Sequence, residues 1–170
     1  MKPVLALSLA PLGAGWAFGA PDAEKPFSGF LTFGSNMHTD DELFCGAQRE
    51  VLASIIHHQP QIVAVTAVSD DRRFAPRLFA YQVIARAIAK AKLPGAAKLV
   101  DIRDALECFT GQPRFDNARD ADKAAKIEAR RRLWLGMDDL DADRASALAV
   151  WCHVAAQQLP ELKFNPKAIR

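Results

Sequence analysis

The chain has 170 residues, half of them hydrophobic and a quarter charged, and 22 Lys and Arg against 20 Asp and Glu leave a formal net charge of +2. That balance excludes an intrinsically disordered chain, and at roughly 150 residues per domain the length predicts one domain, residues 1–160, followed by a short tail at 161–170. Three cysteines, Cys45, Cys108 and Cys152, have no Cys-x-x-Cys spacing, which speaks against a disulfide framework and a structural zinc site and predicts a reducing, cytoplasmic location.

The first segment has two readings. Lys2 followed by an apolar run that closes on Ala17-Phe18-Gly19-Ala20 has the outline of a secretory signal, but Pro11 and three glycines interrupt it. It is also too short for a membrane span of about 20 apolar residues. The competing reading is a buried hairpin, strands 4–9 and 15–19 around a Gly-rich turn, with a third strand at 27–33 completing a meander.

Asp40 or Asp41 can cap a helix whose apolar face is Phe44, Ala47, Val51 and Ile55, running to His58 before Pro60. Residues 61–68 lack charge and read as a strand buried on both faces. After a charged loop at 70–73, residues 74–92 predict an Ala-rich helix stopped by Leu93-Pro94-Gly95. A short strand at 98–102 and a short helix at 103–110 follow. Helices at 119–134, ended by Gly136, and at 140–159, with Leu148, Trp151, Cys152, Ala155 and Leu159 as its buried stripe, close the pattern. Three strands, helix, strand, helix, strand and then helices predict a mixed α/β layered architecture.

Two basic clusters are candidates for nucleic acid. Arg119, Lys123, Lys126 and Arg130 fall four, three and four apart, so one helix face carries all of them, with Arg131 and Arg132 beside it and Asp120, Asp122 and Glu128 diluting the charge. Arg72, Arg73 and Arg77 form the second cluster, which would make a groove if it shared a face with the first. Phe74, Phe79 and Tyr81 near it are candidates to stack on unpaired bases or to serve as core. Ser8 lacks the Gly-x-Ser-x-Gly surroundings of a nucleophile, and His57, His58 and His153 have no metal-ligand spacing. Asp70, Asp71, Asp101, Asp139 and Asp141 read as loop acids and helix caps, with Asp101 notable for ending a strand.

Taken in order, several motifs resemble the RuvC branch of the ribonuclease H-like nucleases, the Holliday junction resolvases. They are Leu5-Ala6-Leu7-Ser8-Leu9-Ala10, Gly15-Trp16, Ser28-Gly29, the QPQIVAV stretch at 59–65, the lysine-bearing 121–126 and ASALAVW at 145–151. The resemblance implies a ribonuclease H-like three-layer fold, α/β, with a mixed five-stranded sheet flanked by helices. It also implies a homodimer through the 74–92 helix and branched DNA as partner, with no membrane. In that family four acids hold two divalent metals for phosphodiester hydrolysis. Carried across, the four positions are Ser8, Thr66, Asp143 and Ser146, of which one is acidic. Neutral hydroxyls are weak magnesium ligands, so the resemblance predicts a degenerate site without a metal cofactor that binds DNA and does not cut it. Magnesium or manganese would enter only if acids such as Asp101 or Asp141 rebuild the site. A protein-interaction module that has lost DNA binding is the third alternative. Lys123 matches a DNA-contacting lysine of the family, but Asn117-Ala118-Arg119 stands where the family has a Gly-basic-Gly loop.

Overall fold

The apolar run that opens the chain forms two adjacent strands, β1 (Val4–Ala10) and β2 (Gly13–Gly19), turned at Pro11 and Leu12. This is a computed structural model, and it describes residues 1–68, 73–93, 97–135 and 142–159. Strand β3 (Phe27–Thr32) pairs antiparallel with β2, and β4 (Ile62–Thr66) and β5 (Ala97–Val100) add parallel on the other side of β1. The sheet order is β3-β2-β1-β4-β5, so β1 is central, and every one of its residues is buried. The helices are α1 (Asp40–His58), α2 (Ala75–Lys92), α3 (Ile102–Thr110), α4 (Ala118–Arg131) and α5 (Ala142–Gln158). Among the described residues no helix is long and apolar enough to cross a membrane.

Alternation along the strands builds a layer on each face. Leu5, Leu7 and Leu9 of β1 and Val63 and Val65 of β4 pack with Leu43 and Val51 of α1 and Leu78 and Tyr81 of α2. Val4, Ala6, Ile62 and Ala64 point the other way, into a core shared with α3, α4 and α5. Helix α5 is buried on every side, and much of its surface is small, with Ala145, Ala147, Ala149 and Ala155 all in the core. Gly15 shows how close the start of α5 comes to the sheet: a β-carbon there would collide with the carbonyl of Asp143.

Helix and strand ends depart from the sequence expectation for local reasons. Thr39, one residue before the expected caps, closes a capping box with Glu42, and Asp40 and Asp41 sit in the first turn. Phe74 is the N-cap of α2 rather than its first residue, with a left-handed φ of 65° and no side-chain cap. Strand β5 stops at Val100, two residues short of expectation, because the Asp101 carboxylate accepts the Arg103 N–H at 2.8 Å and starts α3. Helix α4 ends at Arg131 instead of residue 134. Leu133 turns left-handed at φ 59°, and this sends the Trp134 indole to the Glu24 carbonyl at 3.0 Å and against Trp151. Gly136 and residues 140 and 141, expected to end that helix and start the next, lie outside the described residues.

Candidate functional site

Positions 8 and 66 lie at the ends of neighbouring strands, and positions 143 and 146 lie in the first turns of α5. The β1–β4 pairing ends at Leu7 opposite Val65, and Ser8 and Thr66 stand one step further on, on the face that Ala6 and Ala64 turn toward α5. The Thr66 hydroxyl oxygen accepts the Leu9 N–H at 3.2 Å, tying the two strand ends together. Ser8 pairs with Gly15, and Gly15 lies against the Asp143–Arg144 peptide at the start of α5. Ser146 follows Asp143 by three residues and so shares its helix face. Ser8, Thr66 and Ser146 are 6%, 2% and 8% exposed, and Asp143 is half-buried.

Beside this crevice lies a cavity of about 490 Å³ lined by Ala10, Phe30, Asn36, Phe74, Arg77 and Asp143, among others. Arg77 reaches the Asp40 carboxylate at 2.7 Å and donates to the Pro11 carbonyl at 3.5 Å, where the Tyr81 hydroxyl also donates at 3.0 Å. Helix α2 thus holds the β1–β2 turn at the mouth of the crevice. Tyr81 is a core residue and not a stacking platform: it is fully buried against Phe33 and Phe44, and burial pushes its phenol upward. Phe79 is half-buried, whereas Phe74 is exposed, with the guanidinium groups of Arg73 and Arg77 at 4.9 and 5.2 Å from its ring centre.

The α4 stripe exists, but with a different neighbourhood from that expected. Arg119 and Lys123 are exposed, Lys126 and Arg130 are half-buried, and Ala125 and Ala129 on the opposite side are buried in the α5 core. Arg131 and Arg132 do not extend it freely. Both bond to Glu128, at 2.8 and 2.7 Å, and Arg132 lies over the rings of Phe109 and Trp134. Glu128, expected as a diluting surface charge, is 7% exposed and serves as the hub of this cluster. The two basic clusters also belong to opposite layers, α4 with α5 and the start of α2 with α1, so they do not share one face of the sheet. Arg72 lies outside the described residues.

Asp101 is committed to capping α3 and to an ion pair with Arg103 at 2.8 Å, and these hydrogen bonds hold its carboxyl below the usual range. Asp70, Asp71, Asp139 and Asp141 lie outside the described residues. His58 packs on Trp16 and Phe18, and burial, with His57 beside it, lowers its pKa. His153 meets Gln157 at 3.0 Å. Sequence reasoning missed Asp40 as the partner of Arg77, because the two are 37 residues apart and only the packing of α1 on α2 joins them.

The architecture can be placed among solved structures. RuvC of Thermus thermophilus superposes with a TM-score of 0.72 at 14% identity, over 93% of this chain and 96% of that one. The same protein in complex with a Holliday junction substrate gives 0.72 at 15% identity, over 94% and 97%. The chain has a RuvC-like fold. No family model and no curated protein matches it. The RuvC resemblance implies two divalent metals at positions 8, 66, 143 and 146, but three neutral hydroxyls and one carboxylate do not fit them. Among the described residues no group of three or more His, Cys, Asp or Glu is placed to hold a metal ion.

Proposed function

We propose that the protein is a RuvC-like pseudo-nuclease that binds branched or structured DNA without cutting it and acts by occupancy or through a protein partner. The observation that carries this reading is the combination at the crevice: the backbone arrangement of a RuvC-like fold, with hydroxyls at Ser8, Thr66 and Ser146 and one carboxylate at Asp143. Four carboxylates would repel a phosphate unless metals neutralised them, whereas three hydroxyls and one carboxylate do so far less. DNA affinity can therefore persist where metal chemistry is lost.

The DNA reading draws support from a RuvC neighbour solved with a Holliday junction and from the exposed Arg119 and Lys123 of α4. Residues 1–160 form the single functional domain, and the outward side of α2, where Val83 is 61% exposed, is the surface through which two copies would pair. A fluorescent four-way junction titrated with the protein at rising salt, with and without magnesium, tests the proposal. Saturable binding with a steep salt dependence and no cleavage is the expected result. Metal-dependent cleavage that disappears in Asp143→Asn would overturn the pseudo-nuclease reading, and salt-insensitive or absent binding would favour an interaction module.

A further inference from the structure

The cavity beside the vacated ligand positions is lined by a cation. Arg77 contributes its wall, and Phe74 next to it carries a second guanidinium, that of Arg73, on the same ring. Each cation–π contact is favourable, but two like charges drawn to one ring repel each other unless an anion lies between or beside them. A phosphate is such an anion, and the planar guanidinium fork suits its oxygens.

Asp40 is the present partner of Arg77, and only one of its two carboxylate oxygens is used. Nε and Nη2 of Arg77 both reach a single oxygen, Oδ1, and the Asp40 side chain is 58% exposed. The carboxylate side of the pair is open to solvent while Arg77 is mostly covered, so a multiply charged phosphate chain can approach from the solvent side and compete with Asp40 for the guanidinium. The remaining wall includes Ser35, Asn36 and His38, with Asp143 as the one carboxylate among the described lining residues, and about 490 Å³ holds a sugar-phosphate unit.

We infer that Arg77, backed by Arg73 on Phe74, grips a DNA backbone phosphate directly in this cavity, so that a guanidinium takes the part divalent metals would otherwise play in holding DNA there. This rests on the DNA-binding reading above. Its consequence is that crevice binding needs no metal.

Junction binding measured by anisotropy in EDTA tests it, using the full chain and four variants: Arg77→Gln, Arg77→Lys, Asp40→Asn and the Asp40→Asn, Arg77→Gln double. Arg77→Gln should weaken binding by about tenfold or more and reduce the salt slope by about 0.9, with Arg77→Lys between it and the parent. Asp40→Asn should tighten binding by releasing the guanidinium, and should do so only while Arg77 is present. Parent-like affinity in Arg77→Gln, or an Asp40→Asn effect that is the same with and without Arg77, overturns the inference while leaving the DNA reading intact. If Arg77→Gln fails to fold, Asp40→Asn alone decides, since unchanged or weaker binding there is equally fatal. A parent chain that binds no junction at all overturns the broader reading and this one with it.

Discussion

Glu128 shows how one residue converts a surface pattern into an interior one. Its carboxylate accepts from Arg131 at 2.8 Å twice and from Arg132 at 2.7 Å, while the Arg132 side chain, 6% exposed, rests on Phe109 and Trp134. Removing one partner of a buried pair leaves the other charge without compensation, so Glu128→Ala should cost roughly 3–5 kcal/mol in a denaturant melt. Arg131→Ala, which removes the more exposed partner, should cost less than about 1 kcal/mol. Equal costs would show that the cluster is not buried around Glu128. The pH dependence has a definite sign. Burial alone would raise the Glu128 carboxyl, but the hydrogen bonds and charges of Arg131 and Arg132 outweigh it and hold the pKa below the usual 4.5. The folded state therefore releases this proton more readily than the unfolded chain does. The resulting stability is present above about pH 4.5 and is lost as pH falls through the folded value. Glu128→Gln should flatten the acid limb of a stability-against-pH curve, and an unchanged limb would assign that limb to other carboxyls.

At the scale of elements, α4 carries the clearest test of a charged face. Lys123 is exposed and Lys126 half-buried on the side away from Ala125 and Ala129, so replacing both lysines by Ala should leave the fold intact. If the face lies on DNA, the double variant should weaken junction binding for all sequences alike and reduce the salt slope by about one per lost phosphate contact. Unchanged affinity and slope in the same titration would make it a solvated face. The helices and strands were legible because β1 and β4 carry no charge and are apolar apart from Ser8 and Thr66, while helices such as α1 repeat their apolar residues every three or four positions. Their ends were not, since long-range contacts set them: Trp134 leaves α4 to reach Glu24, 110 residues away in sequence, and Asp101 ends β5 by capping α3. Spacing along α4 likewise showed which charges share a helix face. It could not show that Glu128 turns inward, because the aromatic rings over Arg132 come from α3 and from the turn after α4.

The whole molecule explains why four positions spread over 139 residues can act as one site. Parallel pairing puts the ends of β1 and β4, with Ser8 and Thr66, side by side, and Gly15 admits the first turn of α5, with Asp143, onto the hairpin, while Ser146 follows one turn along α5. The order of motifs implied that these four positions share a site, whereas the cavity lined by Arg77 was not readable from the sequence, since it depends on how α1, α2 and the β1–β2 turn pack. The combined variant Ser8→Asp, Thr66→Glu, Ser146→Asp tests the convergence directly. It puts three carboxylates around Asp143 at positions that are 2–8% exposed. Without metal these acids should lower the melting temperature, because like charges in a buried site repel and each also loses hydration. Magnesium or manganese should restore much of the loss, since a ligand bound only by the folded state raises stability by RT ln(1 + [L]/Kd), about 2.7 kcal/mol at a hundredfold excess over Kd. Cleavage need not return, because catalysis demands placement within about 0.5 Å and binding does not. A melt in which metal shifts the variant no more than the parent would mean that the four side chains do not face one another.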